Sequence, residues 1–211
     1  MNPPKYDQVI DSAEALRKII PPPSELVVRK ALPALDAHAR SFIARSPFVV
    51  IATCGTDSGS DVSPRGEAPG GFLVLDDHTL VVGDRPGNRR TDSFLNLLQN
   101  PKIALLFLLP GVDETLRVNG RAKIVVDAGL FEKLAVGGKA PLVALVVEIE
   151  EVFFQCGKAF RRSRLWEPST WPDPKDQPSL ACVLRDQIPE QVPSVETLDR
   201  IIQDAYRNGL Y

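Results

Sequence analysis

Phe48-Val49-Val50-Ile51-Ala52-Thr53-Cys54, entered through Pro47, is the stretch on which the reading of the fold turns. It is apolar and β-branched, and a polar turn follows at residues 55–61, which marks a short buried strand and not a helix. A second extended piece follows at residues 62–65, then a Gly/Pro-rich loop to Gly71. Residues 72–75 and 79–83 flank the turn Asp76-Asp77-His78 and predict a hairpin. A helix is expected over residues 91–99, with Phe94, Leu95, Leu97 and Leu98 on its buried side and Asn100-Pro101 ending it. Strands are expected at residues 102–109 and 115–126, a short helix at 128–134, and a long extended segment at 141–155. A parallel arrangement needs a crossover helix after most strands, and most of these gaps are too short for one. The expectation is a mainly β (α+β) chain built on an antiparallel barrel or sandwich.

Outward from this core the texture changes. Residues 11–20 read as a helix ended by Pro21-Pro22-Pro23, Ser24 as the N-cap of a second, and residues 35–45 as a third. Together they are expected to cover the core. Two further helices are expected near residues 179–187 and 194–208, after a Pro- and Trp-rich loop. The chain is read as one domain over residues 1–211, with a core at 42–166, an N-terminal helical cover at 1–41, and a C-terminal loop and helices at 167–211.

Composition narrows the function. The 211 residues carry 25 Lys+Arg against 27 Asp+Glu, so the surface as a whole is not one that binds nucleic acid. The start, Met-Asn-Pro-Pro-Lys-Tyr-Asp, lacks the basic and apolar regions of a signal peptide, and the apolar runs are far short of the ~20 residues that span a bilayer. Cys54, Cys156 and Cys182 are odd in number and widely spaced, which disfavours a disulfide framework or a zinc site; they are expected to be buried, reduced thiols in a cytoplasmic protein.

Four segments carry chemistry. In Asp84-Arg85-Pro86-Gly87-Asn88-Arg89-Arg90, three arginines sit between a strand and a helix start, where unpaired N–H groups and forked guanidinium donors suit a phosphate; a solvated basic turn has the same composition. Ser63-Pro64-Arg65-Gly66 offers a hydroxyl, a guanidinium and a flexible backbone beside a planar ring, or is simply a loop. In Arg117-Val118-Asn119-Gly120-Arg121, alternation puts both arginines on one strand face, which either meets solvent or lines an anionic site. The basic stretch from Lys158 to Arg164 follows the long strand and leads to Trp166, a candidate for stacking. His38 and His78 stand in no catalytic motif, and no Gly-x-Ser-x-Gly or His-Glu-x-x-His is present. A bound cofactor can supply chemistry in their place.

Taken together and in order, the first two segments, Phe107-Leu108-Leu109-Pro110-Gly111-Val112-Asp113-Glu114-Thr115-Leu116-Arg117-Val118-Asn119-Gly120, and Cys156-Gly157-Lys158-Ala159 resemble the FMN-binding proteins related to pyridoxamine 5′-phosphate oxidase. The resemblance spans residues 42–166. It implies an FMN-binding split β-barrel with short flanking helices, and a homodimer with the flavin at the subunit interface. It further implies Ser63, Arg65 and Gly66 along the ring and ribityl chain, and Asn88, Arg89 and Arg90 on the phosphate. Arg117 is implied to reach the flavin or the partner subunit, with Lys158 and Arg161 near the same site. The implied activity is an FMN-dependent oxidoreductase acting on a small molecule. A non-catalytic flavin carrier or sensor, or a split barrel holding a deazaflavin or haem, are the alternatives. The tail lacks the Trp-Arg-containing substrate signature of the oxidase itself, so the substrate is left open.

Overall fold

The run that opens at Phe48 is strand β1 (Phe48–Cys54) in a computed structural model, which describes residues 5–211. The opening four residues, part of the stretch read above as lacking a signal peptide, lie outside the described residues. Six more strands follow: β2 (Ser60–Gly66), β3 (Leu73–Val74), β4 (Thr79–Gly83), β5 (Lys102–Leu108), β6 (Thr115–Val125) and β7 (Ala144–Gln155). They form one sheet in the order β2-β1-β5-β6-β7-β4-β3, every neighbour antiparallel. The mainly β, antiparallel expectation is met.

Register decides which side chains meet. Directly opposed residues share a face. One row runs Arg65–Val49–Phe107–Leu116–Phe154, and the next core row runs Ser63–Ile51–Leu105–Val118–Val152. The row between them, Pro64–Val50–Leu106–Arg117–Phe153, faces the other way. Val49 and Ile51 of β1 share one buried core with Leu80 and Val82 of β4, although three strands separate β1 from β4 in the sheet order. The sheet therefore curls until its ends share an interior, and its ladder remains open between edges β2 and β3. That is a barrel with a split.

One local feature permits the curl. The register of β6 on β7 shifts between Asn119 and Gly120. A Cβ at Gly120 would fall 2.0 Å from the Glu148 carbonyl oxygen, so only glycine allows this approach. Pro64 sits on an edge strand, where its missing N–H costs no central ladder bond.

The helices are α1 (Ala13–Ile19), α2 (Glu25–Arg29), α3 (Ala37–Arg45), α4 (Asp92–Gln99), α5 (Ala128–Leu134), α6 (Lys158–Ser163), α7 (Leu180–Gln187) and α8 (Val195–Asn208). Helix α3 begins at Asp36, whose carboxylate accepts from the Ala39 N–H at 2.7 Å, and it sends Ala39, Phe42 and Ile43 into the core. Phe42 meets Phe154 edge to face with ring centroids 5.5 Å apart. Of the front helices only α3 buries residues; α1 and α2 bury none. Helix α5 covers the outside of β4 and β7, where Val81, Leu134 and Ala144 form a smaller cluster. Among the described residues no helix is long and apolar enough to cross a membrane.

Three expectations are corrected. Strand β3 is only two residues long. Leu97 is buried and Phe94 packs against the core as expected, but Leu95 and Leu98 are 51% and 74% exposed, and Ser93 and Asn96 complete the buried side of α4. The buried stripe is rotated from the one expected: the core takes the side of the helix that carries residues 93, 96 and 97, and residues 95 and 98 lie on the outer flank. The thiols are not buried: Cys54 and Cys156 are exposed and Cys182 is half-buried.

Candidate functional site

The site grows from the edge strand. Alternation along β2 turns Asp61, Ser63 and Arg65 to the core side of the sheet and Val62 and Pro64 away from it. Among the described residues no further strand covers this edge, so the three polar side chains occupy the mouth of the split. Arg65 donates to the Ser63 hydroxyl at 2.6 Å and to the Pro64 carbonyl at 2.8 Å, which ties the two predicted residues together. Its Nε lies 3.7 Å from an oxygen of Asp84, just past the end of β4. Burial pushes the Asp84 carboxyl above its ordinary range, although Arg65 and Arg85 pull the other way. The contact joins the first predicted segment to the second, nineteen positions further on.

The loop from Asp84 to Thr91 divides its arginines between two tasks. Arg85 is structural. It pairs with Glu67 at 2.5 Å, donates to the Leu134 carbonyl at 2.7 Å, and lies 5.1 Å from the Tyr211 ring centre. Arg89 is exposed, adopts φ +60°, and has no hydrogen-bond or ion-pair partner among the described residues. Arg90 is exposed and held by Asp92 at 2.7 Å, while its backbone N–H donates to the Asn88 side chain at 3.0 Å.

The helix behind this loop starts without a side-chain cap. Thr91 occupies the N-cap of α4 at φ +57°, and its side chain accepts no bond from the first turn. An α-helix start presents orphan N–H groups and the positive end of the backbone dipole. Helix α4 is fixed in this position by polar contacts to the β1–β2 hairpin. The Ser93 hydroxyl donates to Asp61 at 2.5 Å, and Asn96 donates to the Thr53 hydroxyl at 3.2 Å. An uncapped helix start, an unpaired guanidinium and an Asn-stabilised turn form a donor set that fits a phosphate. The mouth beside it, with Ser63, Arg65 and the backbone at Gly66, fits the polar edge of a ring.

The remaining predicted residues stand apart within the chain. Arg117 belongs to the outward row, on the opposite sheet face from Ser63 and Arg65. It donates to the Asn119 side chain at 3.1 Å and lies 5.3 Å from the Phe153 ring centre. That outward face is largely apolar around it: Val50, Ala52, Ala104 and Leu106 are half-buried there and Val62 is 67% exposed. A groove of 450 Å³ crosses the same face beside Ala52, Val62, Ala104 and Asn119. Lys158 opens α6, and Arg161 donates to Asp113 at 2.8 Å in the β5–β6 loop. None of these three makes a hydrogen bond or ion pair to β2 or to the 84–91 loop.

Sequence reasoning missed Asp61, Glu67 and Asp84 as partners that set the mouth's geometry. Alternation along residues 60–66 was a usable signal for Asp61, because it shares a face with Ser63 and Arg65. Glu67 carried no local signal, since its partner lies eighteen positions away. No group of side chains suited to a metal ion occurs among the described residues.

A family model described as pyridoxamine 5′-phosphate oxidase matches residues 35–156. The chain belongs to that family. In this pyridoxamine 5′-phosphate oxidase family member the match runs from the start of α3 through all seven strands and α4. It includes Ser63, Arg65, Gly66, Asn88, Arg89, Arg90 and Arg117, and ends before Lys158 and Arg161. Among solved structures, a putative pyridoxamine 5′-phosphate oxidase from Lactobacillus delbrueckii is 22% identical over 58% of this chain and 95% of that one, with a TM-score of 0.45. An FMN-binding protein from Syntrophomonas wolfei is 16% identical over 67% of this chain and 95% of that one, with a TM-score of 0.41. A structure described as an F420 reductase is 20% identical over 56% of this chain and 98% of that one, with a TM-score of 0.42. No curated protein matches the chain.

Proposed function

We propose that this family member binds FMN at the split of the barrel and acts as an FMN-dependent oxidoreductase on a small molecule. The observation that carries the reading is the junction of two segments: Ser63 and Arg65 on β2 meet the start of the 84–91 loop through Arg65 and Asp84, 3.7 Å apart. One half of the site then suits a ring and the other a phosphate.

Arg89 supplies a free guanidinium for phosphate oxygens, Arg90 a second one braced by Asp92, and the start of α4 its backbone N–H groups. Asn88 holds the turn through its bond from the Arg90 N–H. Gly66 leaves the backbone open to a ring, with no side chain to intervene. Arg65, only 18% exposed at its side chain, is the positive charge available to stabilise negative charge that develops on a reduced ring. When bound, the flavin supplies the electron and hydride chemistry that the side chains lack.

The same reading makes the protein a homodimer. The apolar outward face of β2, β1, β5 and β6 pairs with a second chain, and Arg117 on that face then reaches the partner's side of the interface.

The test is purification with FMN. Yellow protein that retains about one flavin per chain, and is bleached anaerobically by NADH or NADPH and recoloured by oxygen, supports the proposal. Colourless protein that takes up no added FMN overturns it. Flavin that is bound but never reduced makes the chain a carrier or sensor, and a deazaflavin or haem spectrum replaces the cofactor.

A further inference from the structure

A separate pocket lies at the opposite end of the chain's basic inventory, between α6, the segment after it and the β5–β6 loop. We propose that it binds a planar monoanion with the chemistry of an aromatic carboxylate. Its volume is 340 Å³, at the small end of the roughly 300–1,000 Å³ of small-molecule sites. It is lined by Asp113, Phe160, Arg161, Arg164, Trp166 and Glu167.

The wall is aromatic and fixed. Phe160 and Trp166 stack with centroids 5.6 Å apart and planes 23° from parallel. The Trp166 indole N–H is spent on the Val112 carbonyl at 2.9 Å, so the ring is held in place with its donor satisfied. The turn that brings Trp166 back beside α6 passes through Arg164 at φ +53°, a conformation unusual for a side chain of that size. Gly157 lets α6 approach the β5–β6 loop, because a Cβ there would fall 2.4 Å from that of Asp113.

The charges are arranged and not merely gathered. Arg161 is held by its Nε on Asp113 at 2.8 Å, and Arg164 by its Nε on Glu167 at 2.7 Å. The terminal nitrogens of both guanidiniums have no partner among the described residues. A guanidinium anchored at Nε keeps two terminal donors for a carboxylate and loses little freedom on binding it. Two arginines against two carboxylates leave the lining close to neutral, so the field favours neither a polyanion nor a phosphate cluster. Selection comes from donor geometry for one carboxylate and from apolar contact of its ring with Phe160 and Trp166. The pocket shares no residue with the proposed flavin mouth, and the inference does not rest on that proposal.

Trp166 and Trp171 are the only tryptophans, so their two indole N–H signals in a ¹⁵N–¹H correlation spectrum report the site directly. Trp171→Phe assigns them. The probe is benzoate, with benzamide as its neutral counterpart. Benzoate should shift the Trp166 signal saturably at millimolar concentration while the Trp171 signal moves less. Arg161→Gln and Arg164→Gln should each weaken the titration at least about tenfold with the rest of the spectrum preserved. Benzamide should bind much more weakly, and Arg89→Ala should leave the benzoate titration unchanged. No saturable shift, equal binding of benzamide, or undiminished binding in both Gln variants overturns the proposal. Loss of FMN binding in Arg89→Ala with benzoate binding intact separates this site from the cofactor reading.

Discussion

Glu67 and Arg85 form an ion pair at 2.5 Å across the split of the barrel, with side chains only 2% and 12% exposed. Glu67 follows the end of edge strand β2, and Arg85 follows β4 by two residues. The pair therefore links two ends of the sheet that no ladder joins. It also removes one arginine from a loop whose remaining arginines face water.

Breaking the pair from one side should be costly. Arg85→Ala leaves the Glu67 carboxylate buried and the Leu134 carbonyl without its donor. The expected loss is about 3–5 kcal/mol, the cost of an uncompensated buried charge. Glu67→Leu combined with Arg85→Met removes both charges and should recover much of that loss. Urea unfolding of the single and double variants checks this. A single variant as stable as the wild type would remove the pair from the account of closure.

The two exposed arginines should affect FMN and riboflavin differently. Arg89 has no competing partner among the described residues, whereas Arg90 must share itself with Asp92. Arg89→Ala is expected to weaken FMN by about 1.5–3 kcal/mol, roughly tenfold to over a hundredfold, the scale of a charge-assisted hydrogen bond. Arg90→Ala should have a smaller effect, and the double variant should leave riboflavin affinity nearly unchanged. Flavin-fluorescence titrations of the wild type and each variant with both ligands measure these affinities. Equal losses for FMN and riboflavin would show that neither arginine holds phosphate.

Strand positions and helix limits were legible because they are local. The run from Phe48, the hairpin at Asp76-Asp77-His78, and the helix starts near residues 179 and 194 each announce themselves within a few residues. What was not legible depends on contacts distant in sequence. Leu95 and Leu98 look like core residues, but α4 docks through Ser93 and Asn96 onto the β1–β2 hairpin and turns both leucines outward. Arg85 and Arg89 look equivalent in a basic loop, and only Glu67 makes one structural. Arg117 resembles Arg65 in kind, yet one step of register puts it on the opposite face. The position of the split was readable only from the sheet order.

The outward face should govern oligomeric state. Val62 is 67% exposed, and Leu106, two strands away, lies on the same side of the sheet. Val62→Glu with Leu106→Glu places two charges on this apolar surface, where a paired interface would have to desolvate them. Light scattering after gel filtration should give a dimer for the wild type and a monomer for the double variant, with the circular dichroism of the fold retained. A variant that stays dimeric would move the interface elsewhere, and the exposed Leu95 and Leu98 of α4 would become the next surface to test.

Asp84 should leave a pH signature on stability. Burial raises its carboxyl pKa in the folded chain despite Arg65 and Arg85. Below the ordinary carboxylate range the group is protonated in both states and contributes no difference. As pH rises through that range, the unfolded chain releases its proton first and the folded chain holds on to its own, so folding loses stability. The loss levels off once pH passes the raised folded value. Asp84→Asn cannot titrate. Its stability relative to the wild type should therefore improve between mildly acidic and neutral pH and then stay constant, even if losing the Arg65 contact sets the variant lower throughout. Urea unfolding in steps across that range, each variant beside the wild type, gives the difference directly. A difference that does not change with pH would show that Arg65 and Arg85 balance burial at this carboxylate, and one that shifts toward the wild type as pH rises that they outweigh it.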